Sequence, residues 1–395
     1  MTPDWLEGAG ELAPPLAGDV EADVVVIGAG LCGASAALAL SRAGISTVWL
    51  EGRGVSQGAS GRNAGFLLQG TCERYSRAVA IMGRSRAREV HAASLANHAA
   101  MAEAVAELGL ACAYQKRGSL QLASSEDEER ELVESAELLR EDGFAADLRE
   151  GEAIGPTLRE AGFRVGVHLP EDGELQPARF VRGVAEIARV GGVRLFEQSP
   201  VTRLDAPATG DVVAHTATGT VRASVALVCT NAAAGQLLPW FADKVDPVRG
   251  QMLATASAPP LFDCPIYADH GYDYWRQDEL GRIALGGWRN LDPGSERGFE
   301  ETLHPGIQER MTAFLHRFPA LRSVEITHRW SGTMGFSRDG LPIVGAVPGT
   351  PGALAAAGFT GHGFGFAWLA GRALAEMLVE GRSGFAEMFT PRRFG

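Results

Sequence analysis

The chain has 395 residues, 46% hydrophobic and 21% charged, a balance that excludes a disordered or fibrous protein and gives length for two or three domains. Its net charge of −12 excludes the clustered Lys and Arg that wrapping a nucleic acid requires. Five scattered cysteines (Cys32, Cys72, Cys112, Cys229, Cys264) contain no Cys-x-x-Cys pair, and the nine histidines form no His-Glu-x-x-His cluster, so neither a disulfide framework nor a metal is expected. The opening residues carry Asp4, Glu7, Glu11 and Asp19 with no basic segment, and no apolar run approaches membrane-spanning length, so a soluble cytoplasmic protein is expected.

In chain order, residues 23–27 (DVVVI) read as a fully apolar strand of the kind buried in a parallel sheet. An Ala- and Leu-rich helix over residues 31–43, stopped by Gly44, and a second strand over 46–50 complete one βαβ unit. From about residue 75 to 150 the pattern is helical, with an Ala-rich segment over 92–108 and a charged one over 125–142. Ser125 with Glu128 makes a capping box there, and Gly143 a stop. A helix over 179–190 precedes short strands over 193–197, 201–204, 212–216 and 221–229. The alternating aromatic segments 266–275 and 282–288 predict an antiparallel sheet, and a Gly-rich loop over 358–365 leads into a closing helix over 366–379.

Gly28-Ala29-Gly30-Leu31-Cys32-Gly33 follows the first strand and opens the helix, with Glu51 at the end of the second strand, which is the setting a Gly-x-Gly-x-x-Gly needs to bind a dinucleotide. Gly28 permits the tight turn, Gly30 lets the backbone approach a pyrophosphate, and Gly33 permits close helix-strand packing; the helix N-terminus offers free N–H groups. Glu51 is placed to accept hydrogen bonds from ribose hydroxyls. The fingerprint does not say which dinucleotide binds. Residues 58–65 (GASGRNAG) supply small residues with one Arg and one Asn directly after the ribose-binding strand, suited to following the pyrophosphate toward a second ring system. A simple NAD dehydrogenase would continue with another crossover, so FAD is favoured; an NAD(P)-dependent reductase would carry a second fingerprint, and none is present.

These motifs are joined by Trp330-Ser331-Gly332, by residues 339–345 (DGLPIVG) and by residues 358–365 (GFTGHGFG), in that order across nearly the whole chain. With them the sequence resembles the D-amino acid oxidase superfamily of FAD-dependent amine and amino acid oxidoreductases, in particular the branch of γ-glutamylputrescine oxidases, glycine oxidases and monomeric sarcosine oxidases. The resemblance implies an α/β plus α+β fold. A Rossmann-type FAD-binding domain would be assembled from residues 1–75, 165–245 and 325–395, and a substrate-binding domain with a mixed or antiparallel β-sheet from residues 76–164 and 246–324. It also implies that the Gly361-His362-Gly363 loop approaches the pyrimidine edge of the flavin, where N–H donors stabilise the charge that arrives with a hydride. The expected FAD contacts are then Gly28, Ala29, Gly30, Leu31, Cys32, Gly33, Glu51, Gly52, Arg53, Ser60, Gly61, Arg62, Asn63, Ala64, Gly65, Val201, Thr230, Asn231, Gly332, Met334, Gly361, His362, Gly363, Phe364 and Gly365. Non-covalent attachment is expected, since no Cys lies in residues 330–345 and Arg62 stands where some dehydrogenase relatives carry a linking His.

The family's chemistry implies that a neutral amine loses hydride from its adjacent carbon to the flavin, the imine hydrolyses, and O2 takes the electrons. Two carboxylate anchors of better-known members are missing: Gly365 replaces a Lys of sarcosine oxidases and Met334 an Arg of D-amino acid and glycine oxidases. The expected pocket is aromatic (Tyr272, Tyr274, Trp275, Trp288, Phe336, Phe364), with Arg249, Arg276 and Arg289 as its charges, and suits an amine lacking a free α-carboxylate. His362, Tyr274, Trp288 and Arg276 are the candidate catalytic residues. Ala284 stands near the place of an oxygen-activating Lys in sarcosine oxidases, which leaves oxidase and dehydrogenase both open. The alternatives are a D-amino acid, glycine or N-methyl amino acid substrate, and an FAD subunit of a larger dehydrogenase complex, for which the cysteine spacing offers no Fe–S ligands.

Overall fold

The computed structural model describes residues 3–7 and 10–395. The apolar run 23–27 lies in the strand Val20–Ile27, whose last four residues are buried. Continuous burial follows from its place at the centre of a sheet covered on both faces, where alternation of polar and apolar residues has no use. The main path of that sheet runs Ile343–Ala346, Ala353–Ala357, Thr220–Val228, Val20–Ile27, Thr47–Leu50, Arg194–Phe196. All neighbours are parallel except the edge strand Ile343–Ala346. The pairings Ile27↔Val228 and Val228↔Ala355 set the carboxyl ends of three sequence-distant strands side by side, and it is outside such ends that open α/β sheets bind ligands.

The helix Leu31–Arg42 packs on the closing helix Gly363–Val379 at very close range: a Cβ on Gly371 would stand 2.1 Å from the Cys32 carbonyl oxygen. Ser35 Oγ donates across the contact to Trp368 O at 2.6 Å. The long helix Arg84–Leu108 fixes the start of the closing helix through Asn97, which donates to Phe364 O at 2.8 Å and accepts from Leu369 N at 3.0 Å.

A second eight-stranded sheet runs Ile326–Ser337, Val245–Ser257, Arg282–Gly287, Asp273–Gln277, Ile266–Ala268, Ser119–Leu122, Val165–Leu169, Asp147–Glu150. It is antiparallel apart from the Ile266–Ala268 to Ser119–Leu122 pair, hence mixed. Strand pairing departs from the expected division of the chain at two places. Val165–Leu169 and Ile326–Ser337 were expected in the FAD-binding share, yet both hydrogen-bond into the second sheet, the latter along nearly all of Val245–Ser257. The stretch read as helical also holds two strands that pair with the two edges of Val165–Leu169: Ser119–Leu122, which is largely buried, and the polar edge strand Asp147–Glu150. The aromatic stretch 266–275 is a hairpin rather than one strand, turning at Asp269 and His270, both with positive φ.

The Ser125 cap forms, its Oγ accepting from Glu128 N at 3.3 Å. The reciprocal half does not: the buried Glu128 carboxylate accepts from Ser124 N at 2.6 Å and from His270 N at 2.7 Å, and pairs with Arg74. It ties the charged helix to the second sheet instead of closing a box.

Candidate active site

A cleft of about 640 Å³, within the usual size range of a cofactor or ligand site, is lined by residues of both sheets and reaches from Gly28 and Glu51 to Tyr267, Tyr274 and His362. At its first end the wall is backbone. Gly28 has φ +100°, its N–H donates to Leu50 O at 2.8 Å, and its carbonyl accepts from Trp49 Nε1 at 2.9 Å. A Cβ on Gly33 would stand 2.0 Å from that carbonyl oxygen, and one on Gly30 2.8 Å from Ser60 Oγ. Gly30 caps the helix with no side chain of its own; Leu31 N donates to Ser60 Oγ at 2.9 Å, and the first turn of the helix borders the cleft. Glu51 Oε2 accepts from Ala29 N at 2.7 Å and Oε1 from Arg53 N at 2.8 Å; burial raises the pKa of this carboxyl, and the two N–H groups work against the rise. Thr230 Oγ1, also on the wall, is buried with no hydrogen-bond partner.

The loop 58–65 forms a short helix, Ala59–Arg62, and its two polar side chains hold the loop together. Asn63 Nδ2 donates to Ala59 O and Ser60 O, both at 2.9 Å, while Oδ1 accepts from Gly65 N at 2.7 Å. Arg62 donates to Gln57 O at 2.8 Å and Ser331 O at 3.1 Å, and pairs with Glu301 at 2.9 Å. Glu301 also pairs with Arg53 at 2.5 Å, so one carboxylate from the second half of the molecule joins both loops that follow the ribose-side strand.

At the far end the wall is side chain. Tyr267 and Tyr274 stack at 5.5 Å, with Phe66 edge-on to them at 5.5 and 6.1 Å. Between Met252 and Tyr274 the strand Arg282–Gly287 places Gly286; a Cβ there would meet Met252 Sδ at 2.2 Å. Met334, Arg289 and His362 complete this end. Burial lowers the His362 pKa to about 4, so its imidazole is neutral near pH 7. Burial likewise pushes the Tyr267 and Tyr274 phenols up and the Cys72 thiol to about 11, leaving all three protonated.

A family model described as FAD dependent oxidoreductase (DAO) matches residues 23–377. The chain belongs to this DAO family of FAD-dependent oxidoreductases. Among its curated relatives, the probable oxidoreductase OrdL of Haemophilus influenzae is 29% identical, covering 93% of this chain and 85% of that protein. The gamma-glutamylputrescine oxidoreductase of Escherichia coli is 28% identical over 91% and 84% of the two chains, and a glycine oxidase of Bacillus licheniformis 26% identical over 90% and 93%. In fold the chain is similar to the crystal structure of glycine oxidase from Geobacillus kaustophilus, with a TM-score of 0.80, 22% identity and coverage of 95% and 100%.

The DAO cofactor fits the residues present. The glycine cradle has no room for side chains, the helix N-terminus beside it suits a pyrophosphate, and Thr230 Oγ1 is an orphaned polar atom on the same wall. Of the expected contacts, all but three line the cleft. Gly33, Gly61 and Gly65 lie behind it, where a Cβ would stand 2.0 Å from Gly28 O, 2.1 Å from Ser56 O and 2.1 Å from Leu175 O respectively; they shape the loops. Asn231, with φ 48°, lines the cleft and spends its Oδ1 on Gly358 N at 2.9 Å.

Two candidate catalytic residues lie elsewhere. Trp288 is buried under the second sheet against Phe314 at 5.0 Å, because the residue after Gly287 takes φ 56° and turns its ring away from the cleft. Arg276 is buried behind Gly65 and pairs with Glu174 at 3.4 Å. Trp275 is likewise core, and Arg249 is held by Glu296. Tyr274 and His362 do line the cleft. Residues without an earlier role that line it include Phe66, Cys72, Met252, Tyr267 and Glu301. Tyr267 sits in the stretch already read as aromatic and alternating. The others carry no local signal, since tertiary packing alone brings them there. Among the described residues no helix is long and apolar enough to cross a membrane, and no group of His, Cys, Asp and Glu has metal-binding geometry.

Proposed function

We propose that this chain oxidises a small-molecule amine at the carbon next to nitrogen, with O2 as electron acceptor and FAD held without a covalent bond. The observation that carries the reading is the aromatic chamber of Tyr267, Tyr274 and Phe66 beside His362, with the uncharged Met334 and Gly365 at the positions where relatives would anchor an α-carboxylate. The relatives named for oxidation of glycine and of gamma-glutamylputrescine support amine chemistry in general.

FAD supplies the hydride acceptor. The chain's residues prepare the amine. The apolar chamber disfavours the ammonium form and so favours the neutral nitrogen, whose lone pair assists hydride loss. The stacked rings orient the carbon. His362 Nδ1 lies 3.5 Å from Thr360 O, an arrangement that puts the ring proton on Nδ1; with its pKa lowered to about 4 the ring is a neutral polar contact for the amine, and the proton shed on the way to the imine passes to water. The bare N-terminus of the closing helix places N–H dipoles where negative charge gathers.

Anaerobic mixing of the holoenzyme with matched primary amines, secondary amines and α-amino acids, followed by flavin bleaching, tests this. Amines are expected to bleach the flavin faster than glycine, sarcosine or D-amino acids, and peroxide is expected when O2 returns; faster bleaching by the simple amino acids overturns it. Acid precipitation is expected to release the flavin into the supernatant.

A further inference from the structure

The chain has only two lysines, Lys116 and Lys244, each paired at the surface, with Glu171 and Asp243. Positive charge in the cleft is therefore arginine. Arg53, Arg62 and Arg289 line it, and the first two share Glu301. Arg289 differs: among the described residues it has neither an ion-pair partner nor a hydrogen-bond acceptor, and its guanidinium stands over the rings of Tyr272 at 4.6 Å and Phe336 at 5.2 Å. Carboxylates are not scarce here, with 48 Asp and Glu against 36 Lys and Arg, so an unpaired arginine in a cleft is not a matter of supply. Ring faces hold the guanidinium plane and use none of its in-plane N–H donors. The result is a pre-oriented fork with its edge free, the geometry that takes a carboxylate by two parallel hydrogen bonds.

We propose that Arg289 binds a carboxylate of the substrate, and that the substrate is an amine whose acid group is set off from the reacting carbon by a spacer. This rests on the amine reading above. The spacer follows from position. Met334 and Phe336 share a face of the strand Ile326–Ser337, and both approach Gly361, whose added Cβ would lie 4.0 Å from Met334 Sδ and 3.8 Å from Phe336 Cζ. Arg289 stands over Phe336 and Tyr272 and not over Met334, so the acid it binds is displaced from the place where a residue at Met334 would have held an α-carboxylate.

Two experiments on the holoenzyme test this. The first needs no amine oxidation: pentanoate and pentanamide are titrated against the flavin absorption spectrum. Pentanoate is expected to bind more tightly, and Arg289→Met to raise its Kd by about 10- to 100-fold with pentanamide unchanged, while Arg289→Lys falls between. Equal binding of the two probes, or an equal loss for both in Arg289→Met, overturns the site. The second measures anaerobic flavin reduction by glycine, 3-aminopropanoate, 4-aminobutanoate and 5-aminopentanoate, each beside its amide. A longer acid is expected to exceed both glycine and its own amide by at least tenfold, an advantage lost in Arg289→Met; glycine as the best of the series overturns the spacer. If none of these compounds reduces the flavin while the simple amines still do, the spacer is overturned; if no amine reduces it while pentanoate is still distinguished from pentanamide, the amine reading fails and the anion site stands.

Discussion

At the dinucleotide end of the cleft the wall is largely main chain: Gly28 and Gly30 line it with Gly33 packed behind them, and the polar groups offered include helix-terminal N–H groups, the Glu51 carboxylate and the Thr230 hydroxyl. At the other end the walls are side chain: two stacked tyrosines, a phenylalanine, two methionines, a neutral histidine and one arginine, contributed by separate stretches of sequence. The first end recognises a group common to every FAD enzyme and is intolerant of change. The second recognises what differs between substrates and can be rebuilt residue by residue without disturbing the first.

The largest effect that would test this contrast is Gly33→Ala. Its Cβ would meet backbone at 2.0 Å, with no flexible side chain to give way, so purified protein is expected to lack FAD by its absorbance ratio or to be insoluble. A stably folded Gly33→Ala with full FAD would break the claim that this end is rigid. Next comes Arg276→Met, which leaves Glu174 buried beside only Arg117, 3.7 Å away. Urea unfolding is expected to show a loss toward the lower end of roughly 3–5 kcal/mol, with the FAD affinity of the folded fraction unchanged. Glu51→Gln keeps the shape but removes the charge, and FAD fluorescence titration is expected to show a Kd raised roughly 10- to 150-fold, equivalent to about 1.5–3 kcal/mol. Amine discrimination among molecules that retain FAD is expected to stay as it was; a change there would join the two ends.

The smallest effect is on pH. His91, His98 and His362 are held neutral by burial, with pKa values lowered to about 3, 4 and 4. Below their unfolded value of about 6.5 the unfolded chain takes up protons that the folded one refuses, so this contribution is full above that value and is lost as pH falls. Asp172 and Asp273 are raised by burial to about 7 and about 8. Between their unfolded and folded values the native state alone holds the proton, so their contribution falls as pH rises toward 8. The melting temperature is expected to peak near pH 6.5 and decline on both sides; a steady rise from pH 5 to 8.5 would contradict it.

The same contrast explains what could be read from sequence. The Gly28 to Gly33 turn, Glu51 and the neighbouring strands are local events whose spacing is fixed by one βαβ unit, and they were legible. Trp288 and Arg276 were not: Arg276 sits in the alternating strand Asp273–Gln277, where one residue's difference in direction decides between cleft and core, and Trp288 follows the end of the strand Arg282–Gly287 with a positive φ that turns its ring into the core. Tyr267 could have been found from its place in the same aromatic stretch as Tyr274. Glu301 and Cys72 could not, because only the assembled fold brings them to the cleft. The strand Ile326–Ser337 misled for a related reason: Gly332 and Met334 line the cleft while the strand itself belongs to the second sheet.

The first sheet carries a consequence for synthesis. Its nucleotide-facing edge is complete only when Ile27, Val228 and Ala355 lie in adjacent strands, and the last of these is translated long after the first. A growing chain therefore carries the glycine turn long before it carries the crevice that the turn serves. Until the Ala353–Ala357 strand leaves the ribosome, Ala226, Leu227 and Val228 present an apolar edge with no neighbour on that side, and the interval is when a chaperone would have most to cover.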